Sequence, residues 1–197
     1  MNNKEVLEEF YQAGALLEGH FLLSSGLHSR QYLQCAKVLM DAKRSEKLAK
    51  ALIEKLGSEL TGKIDMVVSP AMGGLIIGYE IGRQLGVPSI FFERNSNGNF
   101  SLRRGFEIEK GAICLMVEDI VTTGLSSCEV IEAIKAAGGE VISAACLIDR
   151  SEGTASLPIP LTALAEMRLE TFSPDNLPED LEKIPVIKPG SRNEIKA

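Results

Sequence analysis

Two adjacent acids, Glu118 and Asp119, close the apolar run Cys114-Leu115-Met116-Val117, and Ile120-Val121-Thr122-Thr123-Gly124-Leu125-Ser126-Ser127 follows them. Thr122, Thr123, Ser126 and Ser127 offer hydroxyls. Gly124 lets the backbone turn tightly enough for successive N–H groups to point inward, and a helix starting behind the turn adds a positive dipole end. Together these make a cradle for a phosphate monoester. The two carboxylates cannot bind phosphate, but they accept hydrogen bonds from sugar hydroxyls or sit near a hard cation. Acids on one side and a phosphate nest on the other suit a phosphorylated ribose. No Lys follows Gly124, so this is not a Walker A loop, and no G-x-G-x-x-G dinucleotide fingerprint is present here.

A second glycine-rich stretch, Pro70-Ala71-Met72-Gly73-Gly74, is either a tight turn or a place where bare backbone approaches an anion. Three cations stand near a turn signal: Arg94 before Asn97-Gly98, and Arg103-Arg104 after it. Arginine binds phosphate bidentately and stays charged. Arg150 follows Leu147-Ile148-Asp149 and has two readings, a surface ion pair with Asp149 or Glu152, or a contact to a substrate carboxylate or carbonyl.

These residues need a scaffold that gathers them. The pattern predicts strands over residues 65–69, 87–93, 112–117 and 141–148, with helices over 75–85 and 129–137 between them, the second ending at Gly138-Gly139. Alternating strands and helices require parallel pairing with right-handed crossovers. The loops then share one sheet edge, where open α/β sheets bind ligands. Before this core the pattern predicts a helix over residues 3–13 capped by Asn3, short strands over 15–23 and 31–38, and a helix over 44–60. Asn97-Gly98 predicts a hairpin whose arms extend away from the sheet. Six of the eight prolines follow Arg150, so that segment is expected to wrap the core.

The 197 residues suit one domain, and 45% of them are apolar, enough for a core. A net charge of −6 with no dominant basic cluster argues against a general nucleic-acid or membrane-surface role. No apolar run approaches the length of a membrane span, and the polar N-terminus does not read as a signal peptide. Cys35, Cys114, Cys128 and Cys146 are widely spaced without a C-x-x-C, which favours a reducing cytosol, with Cys114 and Cys146 as buried thiols. His20 and His28 are too few for a His-based metal site and read as structural or solvent-facing.

Val117-Glu118-Asp119-Ile120-Val121-Thr122-Thr123-Gly124 resembles the phosphoribosyl pyrophosphate (PRPP) signature of type I phosphoribosyltransferases. Leu23-Ser24-Ser25-Gly26-Leu27-His28-Ser29, followed by Tyr32, resembles the S-G-x-x-S element of orotate phosphoribosyltransferases, part of a hood over the pyrimidine. Val186-Ile187-Lys188-Pro189-Gly190-Ser191-Arg192 is similar to a tail in one branch of that family.

The resemblance implies an α/β fold, an open, mainly parallel sheet with helices on both faces. It implies one domain over residues 1–197, with a hood from about 1–40 and contributions from about 155–197. The implied reaction joins orotate to PRPP, with Mg2+ carried by PRPP and water near Glu118 and Asp119 and no direct protein ligand. It also implies a cytoplasmic homodimer with shared active sites.

Carried over, Glu118, Asp119, Ile120, Val121, Thr122, Thr123, Gly124, Leu125 and Ser126 hold PRPP with Arg94, Met72 and Gly73. Thr122, Arg150, Ser25 and Gly26 hold orotate. Asp119, Arg103 and Arg104 act in catalysis. Lysines common in the family are replaced by Ser24 and Gly73, and the mobile loop reads Asn95-Ser96-Asn97-Gly98-Asn99, which leaves Arg103 and Arg104 as substitutes. Rival readings are a phosphoribosyltransferase for a purine or uracil, or a PRPP-sensing regulator. The hood turn and Arg150 argue against the first. The lack of a DNA-binding module argues against the second.

Overall fold

The first helix, α1 (Asn3–Gln12), is capped one residue earlier than expected, by Asn2 instead of Asn3. Asn2 accepts from the Glu5 N–H at 3.0 Å while the Glu5 carboxylate accepts from the Asn2 N–H at 2.8 Å, a reciprocal capping box. Asn3 is thereby released to bond the backbone of Glu166, at 2.6 and 3.2 Å. The structure, a computed structural model, describes residues 1–23 and 25–189. Ser24 of the hood turn and the Gly190-Ser191-Arg192 end of the tail lie outside them.

β1 (Leu16–Leu22) and β2 (His28–Leu33) pair antiparallel. The strand expected over 31–38 ends early, because Cys35, Val38 and Leu39 turn one buried face inward from a short helix, α2 (Cys35–Leu39). Apolar runs this short fit either period. Asp41 accepts from the N–H groups of Lys43 and Arg44 and so starts α3 (Ala42–Leu56) before the expected residue 44, and Gly57 ends it before residue 60. The remainder of that run is a separate turn of helix, α4 (Ser58–Thr61).

The core then alternates: β3 (Met66–Pro70), α5 (Gly74–Leu85), β4 (Ser89–Arg94), β5 (Phe100–Ser101), β6 (Ile113–Val121), α6 (Leu125–Ala136), β7 (Glu140–Asp149) and β8 (Leu161–Glu166). Their sheet has the order β5-β4-β3-β6-β7-β8, parallel throughout except for the antiparallel edge strand β5. α3 and α5 cover one face and α6 the other, dividing the buried side chains into two clusters. α5 lies close to the sheet through a glycine row: a Cβ on Gly74 would come within 2.8 Å of the Val117 carbonyl, and one on Gly78 would overlap the Ser69 hydroxyl.

Three expectations are corrected here. β6 continues to Val121, so Glu118 and Asp119 are strand residues, and α6 starts at Leu125 instead of 129. The C-terminal segment does more than wrap: β8 extends the main sheet, while β9 (Thr171–Phe172) and, beyond α7 (Glu179–Glu182), β10 (Val186–Ile187) complete the hood sheet, ordered β10-β1-β2-β9. The hairpin does not extend away. Phe100, Leu102 and Phe106 pack against the α6-side cluster and hold it to the sheet edge. In the hood, His20 is buried, meeting His28 at 2.6 Å and the Ile184 carbonyl at 2.9 Å, so the pair is structural. Cys114 and Cys146 are buried thiols.

Candidate active site

The carboxyl ends of β3, β6 and β7 are neighbours in the sheet, which brings the loops at 70–74, 121–125 and 149–154 to one edge. After β6, Thr122 and Thr123 are exposed, and Gly124 holds φ +77°, a left-handed backbone that costs glycine little. A Cβ there would also press within 2.9 Å of Leu157. The N–H groups of Thr122, Thr123 and Gly124 have no partner among the described residues, and α6 starts without a side-chain cap. The first turn of a helix has unsatisfied amides, so a row of open donors, broken only by a long bond at Leu125, runs from the loop into α6. Leu125 is exposed and its N–H reaches the Thr123 hydroxyl only at 3.4 Å.

The serine pair divides between two tasks. Ser126 accepts from Arg94 at 3.3 Å, whereas Ser127 is buried and donates to Glu118 Oε2 at 2.5 Å, so its hydroxyl is not available to a ligand. Burial pushes the Glu118 carboxyl up to about 7; Ser127 opposes this, the Asp119 charge adds to it, and Arg94 opposes it.

A raised folded pKa means that the native state binds the extra proton. Stability from this group is therefore fully present at low pH and is lost as pH rises from its unfolded value of 4.5 through about 7. Glu118→Gln removes that loss. The difference in thermal midpoint between variant and wild type is expected to grow in the variant's favour from pH 5 to about 8. A difference that stays flat with pH would contradict the buried, raised carboxyl.

Asp119 lies against the second loop. Its Oδ1 accepts from the Ile120 N–H at 2.9 Å, and a Cβ on Gly73 would collide with its carboxylate. A side chain at residue 73 would therefore have to displace the acid from this position. Gly74 is absorbed by packing, so of the two glycines only Gly73 keeps its backbone at the site. The Met72 and Gly73 N–H groups are without partners among the described residues, and the Met72 side chain is exposed. Burial raises the Asp119 carboxyl above its usual value; the Ile120 N–H, which donates to it, and Asp119's own N–H pull the other way, with a smaller contribution from the Cys35 thiol.

The 149–154 loop contributes Arg150, whose N–H bonds the Val121 carbonyl at 2.8 Å. The surface ion pair does not form: Asp149 accepts from the Ser151 N–H at 2.7 Å and Glu152 pairs with Arg168 at 3.2 Å. Arg150 Nε is buried without a partner, a costly state that a ligand acceptor would relieve. Burial lowers its pKa, countered by Tyr32 and Cys35. Tyr32, quoted with the hood turn, and Cys35, which no motif singled out, thus lie close enough to Arg150 to act on its charge. Ser25 and Gly26 sit exposed in that turn, where the Gly26 N–H bonds the Leu23 carbonyl at 3.0 Å.

The hairpin arginines are engaged locally. Arg94 donates to Glu129 and the Gly98 carbonyl, each at 2.6 Å, and lies 4.1 Å over the Phe100 ring. Arg104 pairs with Glu93, and Arg103 is exposed. Glu93 and Glu129 are further residues that sequence reasoning passed over. Among the described residues no group of three or more His, Cys, Asp or Glu side chains converges to hold a metal ion.

The phosphoribosyl transferase domain model matches residues 36–159. The orotate phosphoribosyltransferase of Erythrobacter litoralis (strain HTCC2594) is 60% identical over 192 residues, covering 98% of this chain and 99% of its own length. That of Sphingopyxis alaskensis (strain DSM 13593 / LMG 18877 / RB2256) is 57% identical over 194 residues, 98% of each chain. The crystal structure of orotate phosphoribosyltransferase from Aeropyrum pernix aligns at a TM-score of 0.68 with 27% identity, over 82% of this chain and 93% of that one.

Proposed function

The chain belongs to the orotate phosphoribosyltransferases, and from that premise we propose that its open amide loops hold PRPP while Arg150 holds orotate. The reaction transfers the 5-phosphoribosyl group of PRPP to N1 of orotate, giving orotidine 5′-monophosphate and diphosphate, a step of pyrimidine biosynthesis. The observation that carries the assignment of parts is the pairing of unpartnered donors with shielded acids: amides at 122–124 and 72–73, and Arg150 Nε, around Glu118 and Asp119.

In this reading the 5-phosphate lies on the amides from Thr122 to Ser126 at the start of α6. Glu118 and Asp119 accept the ribose hydroxyls, and their charge favours the positive charge that grows on the ring as the C1′–O bond to diphosphate lengthens. Orotate lies between Thr122, Arg150 and the hood turn at Ser25 and Gly26, with N1 directed at C1′. The diphosphate meets Met72 and Gly73 amides and a hairpin arginine. Catalysis is then positioning and electrostatics, with no covalent nucleophile.

Mg2+ fits as an ion carried by the substrate, since Ser127 and the Ile120 N–H already engage Glu118 and Asp119, which can still orient its waters. When bound it neutralises charge on the diphosphate. Four free thiols suit a reducing cytoplasm, and among the described residues no helix is long and apolar enough to cross a membrane.

The dimer with shared sites also belongs to this proposal, and the sheet supports it. β5 runs antiparallel to β4, with Arg94 opposite Phe100. The chain beyond it, including Arg103 and Arg104, therefore runs back from the carboxyl edge. β5 also stands three strand positions from β6, about 14 Å at the usual interstrand spacing. The paired hairpin thus carries these arginines away from the carboxyl edge of its own site. A second copy can present them.

Mixing protein, PRPP, Mg2+ and orotate and following orotate absorbance tests the reaction, and competition by uracil or a purine base tests the choice of base. Arg150→Ala is expected to weaken orotate binding more than PRPP binding. The lost charge-assisted bond, about 1.5–3 kcal/mol, corresponds to roughly 10- to 100-fold. Separate titrations of each substrate read it, and equal losses for both would contradict the assignment.

A further inference from the structure

The hairpin arginines are not equivalent. Arg104 Nε and Nη2 donate to Glu93 Oε2 and Oε1 at 3.0 and 2.9 Å, a bidentate pair. Its guanidinium lies 5.7 Å over the Phe91 ring, and that ring meets Phe106 edge-on at 5.2 Å. Its backbone is unusual: φ is +62° at Arg104 and +75° at Gly105, in a turn closed by the Phe106 N–H on the Arg103 carbonyl at 3.1 Å. Positive φ at both central residues is what a type I′ turn demands, and Asn or Gly meets that demand more easily than Arg. A long cation thus stands where a short side chain would fold better, and its Nε and Nη2 are both engaged by Glu93 inside the protomer. Arg103 beside it is exposed and makes no ion pair among the described residues.

Resting on the reading above, in which a hairpin arginine meets the leaving diphosphate, we propose that Arg103 is the anion-binding residue and Arg104 a positioning residue. The Glu93–Arg104 pair fixes the turn that presents Arg103. An exposed ion pair is ordinarily weak. This one is bidentate and stacked on an aromatic face, and it spans the turn from β4. Its loss frees the turn without unfolding the sheet.

The test is a cycle of Glu93→Gln, Arg104→Gln and the double variant, with Arg103→Gln as reference. KM for PRPP, KM for orotate, kcat and inhibition by diphosphate are measured. Arg103→Gln and all three members of the cycle are expected to weaken PRPP and diphosphate binding roughly tenfold while KM for orotate stays put. The double variant is expected to be no worse than either single one. Arg104→Lys keeps the charge but loses the fork and should behave like Arg104→Gln. Arg104→Asn, which accepts a left-handed backbone, serves where the Gln variant misfolds.

Wild-type PRPP binding in Glu93→Gln beside weakened binding in Arg104→Gln would overturn the proposal, because Arg104 would then meet the anion itself. A silent Arg103→Gln would overturn it too, as would equal rises in both KM values. A wild-type protein without orotate- and PRPP-dependent turnover would remove the functional reading and this proposal together. The other outcomes, read against an active parent, cannot be mistaken for that one.

Discussion

Asp119→Asn is expected to lower turnover by about 10²–10³, the scale set by removing one preorganised electrostatic contact at a reacting centre. The substitution keeps the volume against Gly73 and can still accept from the Ile120 N–H. What it removes is the charge that, in the proposed reading, faces the ribose. Stability should move the other way. Burial raises the Asp119 carboxyl above its usual value, so the ionised form costs the folded state stability as pH rises through that raised pKa. Asn carries no such cost. The variant should therefore melt at the same or a higher temperature than wild type at neutral pH while turning over far more slowly, as expected where a site stores electrostatic strain for its chemistry. Near-normal turnover in the folded variant would refute the role, and a joint loss of turnover and melting temperature would make Asp119 a structural residue.

The parts of the site legible in the sequence are those whose chemistry sits in contiguous residues. The strand–acid–acid–loop–helix run could be read because apolar periodicity, two carboxylates and a Thr-Thr-Gly turn fall in one register. Its boundaries could not. β6 continues through Glu118 and Asp119 because its ladder with β7 extends to Asp149, whereas pairing with β3 stops at Met116, a property of neighbours and not of the segment. Ser127 read as a phosphate hydroxyl because its burial beneath Glu118 depends on where α6 begins.

The same limit explains the hairpin. Asn97-Gly98 announces a turn, and Asn95 Oδ1 does accept from the Asn97 and Asn99 N–H groups at 2.9 and 3.1 Å. Whether the arms extend or fold back is decided by what Phe100, Leu102 and Phe106 find beside them. Glu93 and Glu129 were missed because single acids on a strand end and a helix carry no motif. Their meaning appears only when an arginine arrives at hydrogen-bond distance. Gly73 and Arg150 show the converse: the sequence named them, but their surroundings, an acid filling the Cβ volume and a buried Nε without a partner, are visible only in the fold.

The arrangement of β5 leads to the second large effect, a recovery of activity from two impaired proteins. An Arg103/Arg104 double alanine lacks the two cations after the hairpin turn, and Asp119→Asn lacks the charge proposed to face the ribose. Assayed with PRPP well below KM, Asp119→Asn is expected to be nearly inactive alone and the double alanine to keep about a tenth of wild-type activity. In a twofold dimer whose sites take the hairpin from the opposite subunit, a mixed dimer places both lesions in one site and leaves the other site intact. Random reassortment of equal amounts makes about half the dimers mixed, so about a quarter of wild-type activity should return. If each hairpin served its own site, every site would keep one lesion and activity would stay below about a tenth of wild type. The two arrangements thus differ by far more than assay error. The control is a tagged pull-down proving that mixed dimers formed after reversible dissociation. No recovery with mixed dimers present would mean that the hairpin unpairs from β4 and turns back over its own acids, which would require breaking the Glu93–Arg104 pair and lifting Phe100 and Leu102 off the α6-side cluster. That rearrangement would show as accelerated amide exchange at residues 95–105 when PRPP binds, whereas the shared arrangement keeps those amides as slow as they are in the free protein, or slower.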